Sequence, residues 1–199
     1  GYFQMEREQT KCESCPQNTF GGTVGSSSKD NCLKCQEGQF SAHGSKSCQF
    51  CPAGKTTNLT SDEVTCDDCA PGLFQSNAGQ EACDSCPQGY HQEQAAQPYC
   101  LPCIPGKFHT DKAQVVCNSC PMGQYQEEVG SRSCKDCDAG KYQDKTGLVI
   151  CFDCGPGQFQ NDSHATTCVE CAVGQSQPES GKKKCSACKV GKHQDAPGA

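Results

Sequence analysis

Sulfur is the main chemistry this chain can offer. Its 22 cysteines fall as eleven Cys-x-x-Cys pairs, opening at Cys12, Cys32, Cys48, Cys66, Cys83, Cys100, Cys117, Cys134, Cys151, Cys168 and Cys185. Such pairs support three chemistries: structural disulfides, tetrahedral zinc sites and dithiol redox exchange. Zinc is the nearest rival to disulfides, because Cys-x2-Cys-x13-Cys-x2-Cys lies close to ribbon spacing. A zinc array should carry basic or His-bearing fingers, and this chain has a net charge of −6 and five His. Redox exchange needs one dithiol in a βαβ setting, whereas eleven copies read as a ladder. No metal and no cofactor are expected.

Other catalytic groupings do not emerge. His91 and His193 occupy a slot that elsewhere holds an aromatic ring, and read as rings that pack. The remaining His43, His109 and His164 belong to no Ser/His/Asp or paired-carboxylate pattern. Asp67-Asp68 lies between two cysteines and reads as solvated. Lys182-Lys183-Lys184 reads as a solvated loop tip. The expectation is a protein that is not an enzyme.

The elements that must place the cysteines are short and repeated. From Cys66 onward every interval between pairs is 17 residues, and the earlier intervals are 20, 16 and 18. A fixed period marks a repeat array. Each unit opens with Cys-Pro-x-Gly, as at Pro52, Pro87 and Pro121, or Cys-x-Pro-Gly, as at Pro71, Pro105 and Pro156. Pro presets the turn and Gly takes the backbone angles a side chain disfavours. Two residues on comes a ring (Phe20, Phe40, Phe74, Phe108, Tyr125, Tyr142, Phe159), then usually Gln, then a polar tip. This predicts a two-stranded hairpin of two to four residues per strand in every unit. The fold class is therefore small and disulfide-rich, mostly turn and coil with short β-hairpins and almost no helix. The units should form an elongated, solenoid-like tandem array. Residues 1–15 read as a partial repeat, 16–69 as three repeats of irregular length, 70–188 as seven regular repeats and 189–199 as a second partial repeat. Both ends fall in mid-repeat, so the sequence reads as a window on a longer array, with any membrane anchor outside it.

An ordinary core is beyond this composition. Leu, Ile, Val and Phe make up 24 of 199 residues, and there is no Trp. Cysteine density of this order belongs to an oxidising compartment, which predicts an extracellular protein, secreted or on a cell surface. The negative net charge argues against nucleic acid. No apolar run is long enough to span a membrane.

Two pairing schemes are open. In one, the second Cys of a pair joins the first Cys of the next: Cys15–Cys32, Cys35–Cys48, Cys51–Cys66, Cys69–Cys83, Cys86–Cys100, Cys103–Cys117, Cys120–Cys134, Cys137–Cys151, Cys154–Cys168 and Cys171–Cys185. In the other, neighbouring pairs interlace. The one-repeat period favours the first, while the alternating Pro position between Cys69 and Cys120 hints at the second. Loops of this size are worth about 3 kcal/mol each in the chain-entropy account.

The runs from Cys86-Pro87-Gln88-Gly89-Tyr90 to Cys100, and from Cys120-Pro121-Met122-Gly123-Gln124-Tyr125 to Cys134, resemble the cysteine-rich repeats of ephrin receptors. They are also similar to the first loop module of tumour necrosis factor receptor repeats. The resemblance implies the first pairing scheme and a rod-like ectodomain. It carries over no ligand-contact residues.

Two sequons, Asn58-Leu59-Thr60 and Asn161-Asp162-Ser163, place Asn at the same point of their repeats, just after the Gln slot. Both are expected to face outward and to accept N-glycans. In equal register the Gln side chains would form a parallel row sharing amide hydrogen bonds. The function expected is an extracellular structural protein, a rigid stalk or fibre. It would associate with neighbouring repeats or with its own copies into a filament. The alternative is a receptor or adhesion ectodomain that binds a protein ligand.

Overall fold

The computed structural model of the chain describes residues 1–5, 11–58 and 65–198. Every sheet within them is a two-stranded antiparallel ribbon. Most strands have two residues, such as Leu73–Phe74 with Asp84–Ser85, or Gln124–Tyr125 with Lys135–Asp136. Lys55–Asn58 and Thr65–Asp68 are the longest, at four residues each. The one helical element among the described residues is a 3-10 turn, Lys29–Asn31, whose entry is capped by the Ser28 hydroxyl accepting from the Asp30 amide. The disulfide-rich hairpin array read from the period is thus the observed fold.

Each ribbon follows from its turn. Gly123, at φ +80°, sits in the left-handed region where a Cβ is costly. The bend lets Gln124 donate its amide to the carbonyl of Pro121. The chain then runs out through Tyr125, which pairs with Lys135 on the return strand. Cys137 closes the base by donating to the Gly123 carbonyl at 2.9 Å.

Contacts divide the molecule into two units. One comprises 1–86, 92–101 and 113–115, and the other 87–91, 102–112 and 116–199. In both, the interior is sulfur. Among the described residues, apart from Phe3, the buried apolar residues are nine half-cystines, including Cys69, Cys86, Cys120 and Cys154 at 0 % exposure. The buried polar residues are Ser41, Thr57, Gln75, Gln92, His109, Gln126, Gln143 and Gln160. All eight lie three residues after a turn residue of the series Gly38 to Gly157, so the Gln slot is an interior position. The ring slot is half-buried, and among the described residues the one ring pair is Tyr142 with Phe152, centroids 6.1 Å apart.

Candidate functional site

The repeated junction is the place where sequence and structure concentrate their specificity. Ten disulfides join the second Cys of one pair to the first Cys of the next, from Cys15–Cys32 to Cys171–Cys185. Their Cα atoms lie between 5.5 and 5.8 Å apart, ordinary for an unforced bridge. Cys12 and Cys188 carry no bond within this chain.

Around each bridge the Gln slot clamps its own loop. Gln126 donates through Nε2 to the Ser133 carbonyl at 2.8 Å and accepts at Oε1 from the Glu128 amide at 2.9 Å. Gln75, Gln92, Gln160 and Gln177 repeat both bonds with the carbonyl seven residues on and the amide two residues on. His109 makes the second bond through Nδ1, which accepts from the Asp111 amide. A parallel row of amides bonding to one another is therefore not what these residues form. The side chain is buried, and a buried amide is held by the nearest backbone groups that satisfy both of its ends. In this fold those groups belong to its own loop.

Three backbone hydrogen bonds then couple one repeat to the next. Gly106 donates to the Gln126 carbonyl at 2.7 Å, His109 to Ser131 at 3.3 Å, and the tip residue Gly130 back to Cys103 at 2.8 Å. The same three recur as Gly123 to Gln143, Gln126 to Leu148 and Gly147 to Cys120, and again one repeat further. They appear in the other unit as Gly72 to Gln92, Gln75 to Gln97 and Ala96 to Cys69. The tip also reaches one repeat beyond its neighbour. A Cβ placed on Gly89 would meet the Gly130 carbonyl oxygen at 2.1 Å, and one on Gly106 would meet that of Gly147 at 2.1 Å. These partners are 41 residues apart, two periods plus the seven residues from turn to tip. The tip itself has positive φ even without glycine, at Ala96, Ala113 and His164. Sequence reasoning missed those three. The signal was available, because they share the 17-residue spacing with Gly79, Gly130, Gly147 and Gly181.

One group could suggest a metal. His91, Cys103 and Cys117 place their ligand atoms within 4.8 Å of one another. Cys103 and Cys117 are bonded to each other, so neither offers a thiolate. The His91 ring instead packs on the bridge of the following loop, as the ring slot implies. Thr56 approaches Cys83 in the same way at 4.0 Å.

Some charged groups pair at the surface. Lys135 contacts Glu127 at 3.0 Å and Glu128 at 3.3 Å, and these bonds hold its ammonium above the usual lysine range. A hydrogen bond from Lys182 at 2.7 Å pulls the Glu179 carboxyl down. Glu81 is pushed up, first by a hydrogen bond with Glu37 and then by its charge. Asn161 is exposed, as are Ser76, Glu93, Thr110, Glu127 and Asp144 at the equivalent place. Asn58 ends the strand Lys55–Asn58, and the other residues of its sequon, Leu59 and Thr60, lie outside the described residues.

Tandem loops closed by their own flanking cysteines, ten disulfides in series, define a cysteine-rich extracellular repeat module. The chain belongs to the family described as "Tyrosine-protein kinase ephrin type A/B receptor-like", whose model matches residues 1–32, 58–98, 75–114, 91–137, 106–147 and 157–199. It is similar to human signal peptide, CUB and EGF-like domain-containing protein 3, with 33% identity over 78 residues, 39% of this chain. It is also similar to the human protein 2 of that name, with 32% identity over 83 residues, 40% of this chain. In both cases the match spans 8% of the relative's length. The protein is extracellular, and the chain is a cysteine-rich ectodomain segment.

Proposed function

We propose that this chain is a stalk, a rigid spacer segment of an extracellular protein. It carries no catalytic role and associates with identical repeats, end to end or side by side. The observation that supports this reading is the coupling between repeats. Three backbone bonds at the junctions described above, with a tip that touches two preceding repeats, oppose bending there. An array coupled to its neighbours in this way behaves as a quasi-one-dimensional solid. Electron microscopy of the disulfide-bonded native protein tests it. Stiff particles of uniform length are expected, and compact globules or flexible threads would overturn the reading.

A second reading, an ectodomain that binds a protein ligand, is favoured by Leu33 and Phe50, which are 58% and 59% exposed in the stretch of irregular repeats. Crosslinking from position 33 on native material separates the two. A stalk captures its own copies, whereas a receptor captures a different protein.

We also propose that Asn58 and Asn161 carry N-glycans on an outward face. Glycosidase treatment of native material should lower the intact mass, and an unchanged mass would reject the assignment.

A further inference from the structure

The stretch from Gln177 to Gln194, which begins in the last closed loop and runs past Cys188, departs from the rest of the chain in charge. Residues 177–194 hold Lys182, Lys183, Lys184, Lys189 and Lys192 against a single acid, Glu179, a net of +4. With −6 for the whole chain, the remaining residues carry −6 − 4 = −10. At the places equivalent to 182–184, the six preceding tips read 80–82, 97–99, 114–116, 131–133, 148–150 and 165–167. Those eighteen positions hold one cation, Arg132.

The fold does not explain three lysines there. The structural work at these positions is done by backbone. The Lys182 carbonyl accepts from the Gln160 amide at 3.1 Å, and the Lys184 carbonyl from Gln177 Nε2 at 2.8 Å. Any side chain would serve, as Ala165 and Thr167 do one repeat earlier. The loop is thereby held in one conformation while its ammonium groups project. Glu179 engages Lys182. Lys183, Lys184, Lys189 and Lys192 have no acidic partner among the described residues. The run flanks an open depression of about 600 Å³ bounded by Pro178, Gly181, Lys182, Lys183 and Lys184, with Glu179, the partner of Lys182, as its one acid.

We propose that this basic face is a docking surface for a sulfated polysaccharide. A cluster of unpaired ammonium groups on a fixed loop suits a linear chain of regularly spaced anions, which gains affinity by releasing counterions. Among polyanions, a sulfated polysaccharide is the class that an extracellular protein meets at its surface. The acidic remainder of the chain repels such a ligand, which confines binding to this stretch. The inference rests on the extracellular location and not on the stalk reading.

The test uses the whole disulfide-bonded chain and heparin as probe. Retention on a heparin column at low salt is expected, with elution as salt rises. K183S/K184S should bind heparin about tenfold more weakly at 0.1 M salt, with its disulfide count by mass and its circular dichroism unchanged. K29S/K34S, remote in sequence, should elute with the unaltered chain. Hyaluronan, which carries carboxylates but no sulfate, should fail to compete. Failure of the unaltered chain to bind heparin overturns the proposal. So does equal elution of K183S/K184S, or competition by hyaluronan. Preferential binding to phosphatidylserine vesicles or to DNA, undisturbed by heparin, would also overturn it.

Discussion

Nε2 of Gln126 donates to the carbonyl oxygen of Ser133 at 2.8 Å, seven residues along the same loop, and the amide is 3% exposed. That one side chain fixes the loop's width from inside.

Gln126→Ala should remove the side-chain partner of the Ser133 carbonyl and of the Glu128 amide, a cost of about 0.5–1.5 kcal/mol for each hydrogen bond lost. Hydrogen exchange at the Glu128 amide measures it, and unchanged protection would contradict the clamp. Gln126→Glu is the sharper variant. Its carboxylate would face a carbonyl oxygen, which raises its pKa in the folded state above the unfolded value. The variant should then be most stable in acid and weaken as pH rises through that raised pKa.

Gly89→Ala should be among the most damaging single changes. The site has φ +81°, and the new Cβ would fall 2.1 Å from the Gly130 carbonyl oxygen. The backbone term alone is about 1–2 kcal/mol, and the clash adds to it. Secretion yield with a full set of disulfides gives the readout. A variant secreted at the normal level would show that the contact two repeats away does not constrain the turn.

Ala113→Gly should stabilise. Ala113 holds φ +59° while its amide donates to the Cys86 carbonyl at 2.9 Å. Glycine removes the strain but adds freedom to the unfolded chain, so a net gain of up to about 1 kcal/mol is expected. A thermal midpoint at or below that of the unaltered chain would refute this.

Glu81 should respond to acid in the opposite sense from most carboxylates. Glu81 is held above its usual value of 4.5, chiefly by the hydrogen bond with Glu37. A raised folded-state pKa means that its stabilising effect is complete below the unfolded value and is lost as pH rises through the raised one. Carboxyl NMR titration should place the Glu81 midpoint above 4.5, and Glu37→Gln should lower it. A midpoint at or below the ordinary range would dismiss the hydrogen bond between the two carboxyls.

The fold was legible because its determinants are residue types with few alternatives. Cysteines at a 17-residue period, a Pro-Gly turn at Pro121 and Gly123, and a short return strand such as Lys135–Asp136 specify a stapled hairpin without help from distant parts of the chain. The junction was less legible. Gln126 and Gln143 look like surface amides available to each other, and nothing local reveals that both are buried against backbone. The residue types of Ala96, Ala113 and His164 do not announce positive φ, and only their spacing from Gly79, Gly130, Gly147 and Gly181 does, because the conformation is imposed by bonds to the repeat before. The 41-residue contact from Gly89 to Gly130 depends on how successive hairpins pack. A one-dimensional pattern states the period and leaves that geometry out.

The 41-residue relation also bears on how such a chain could lengthen. A copied block of 17 residues arrives with every donor and acceptor already in phase, both for its neighbour and for the loop beyond. Whole-unit duplication is then structurally silent. A residue added within a loop can be absorbed, as in the longer Cys51–Cys66 loop, where Gly54 still passes the Ala96 carbonyl oxygen at the same 2.1 Å although the two are 42 residues apart.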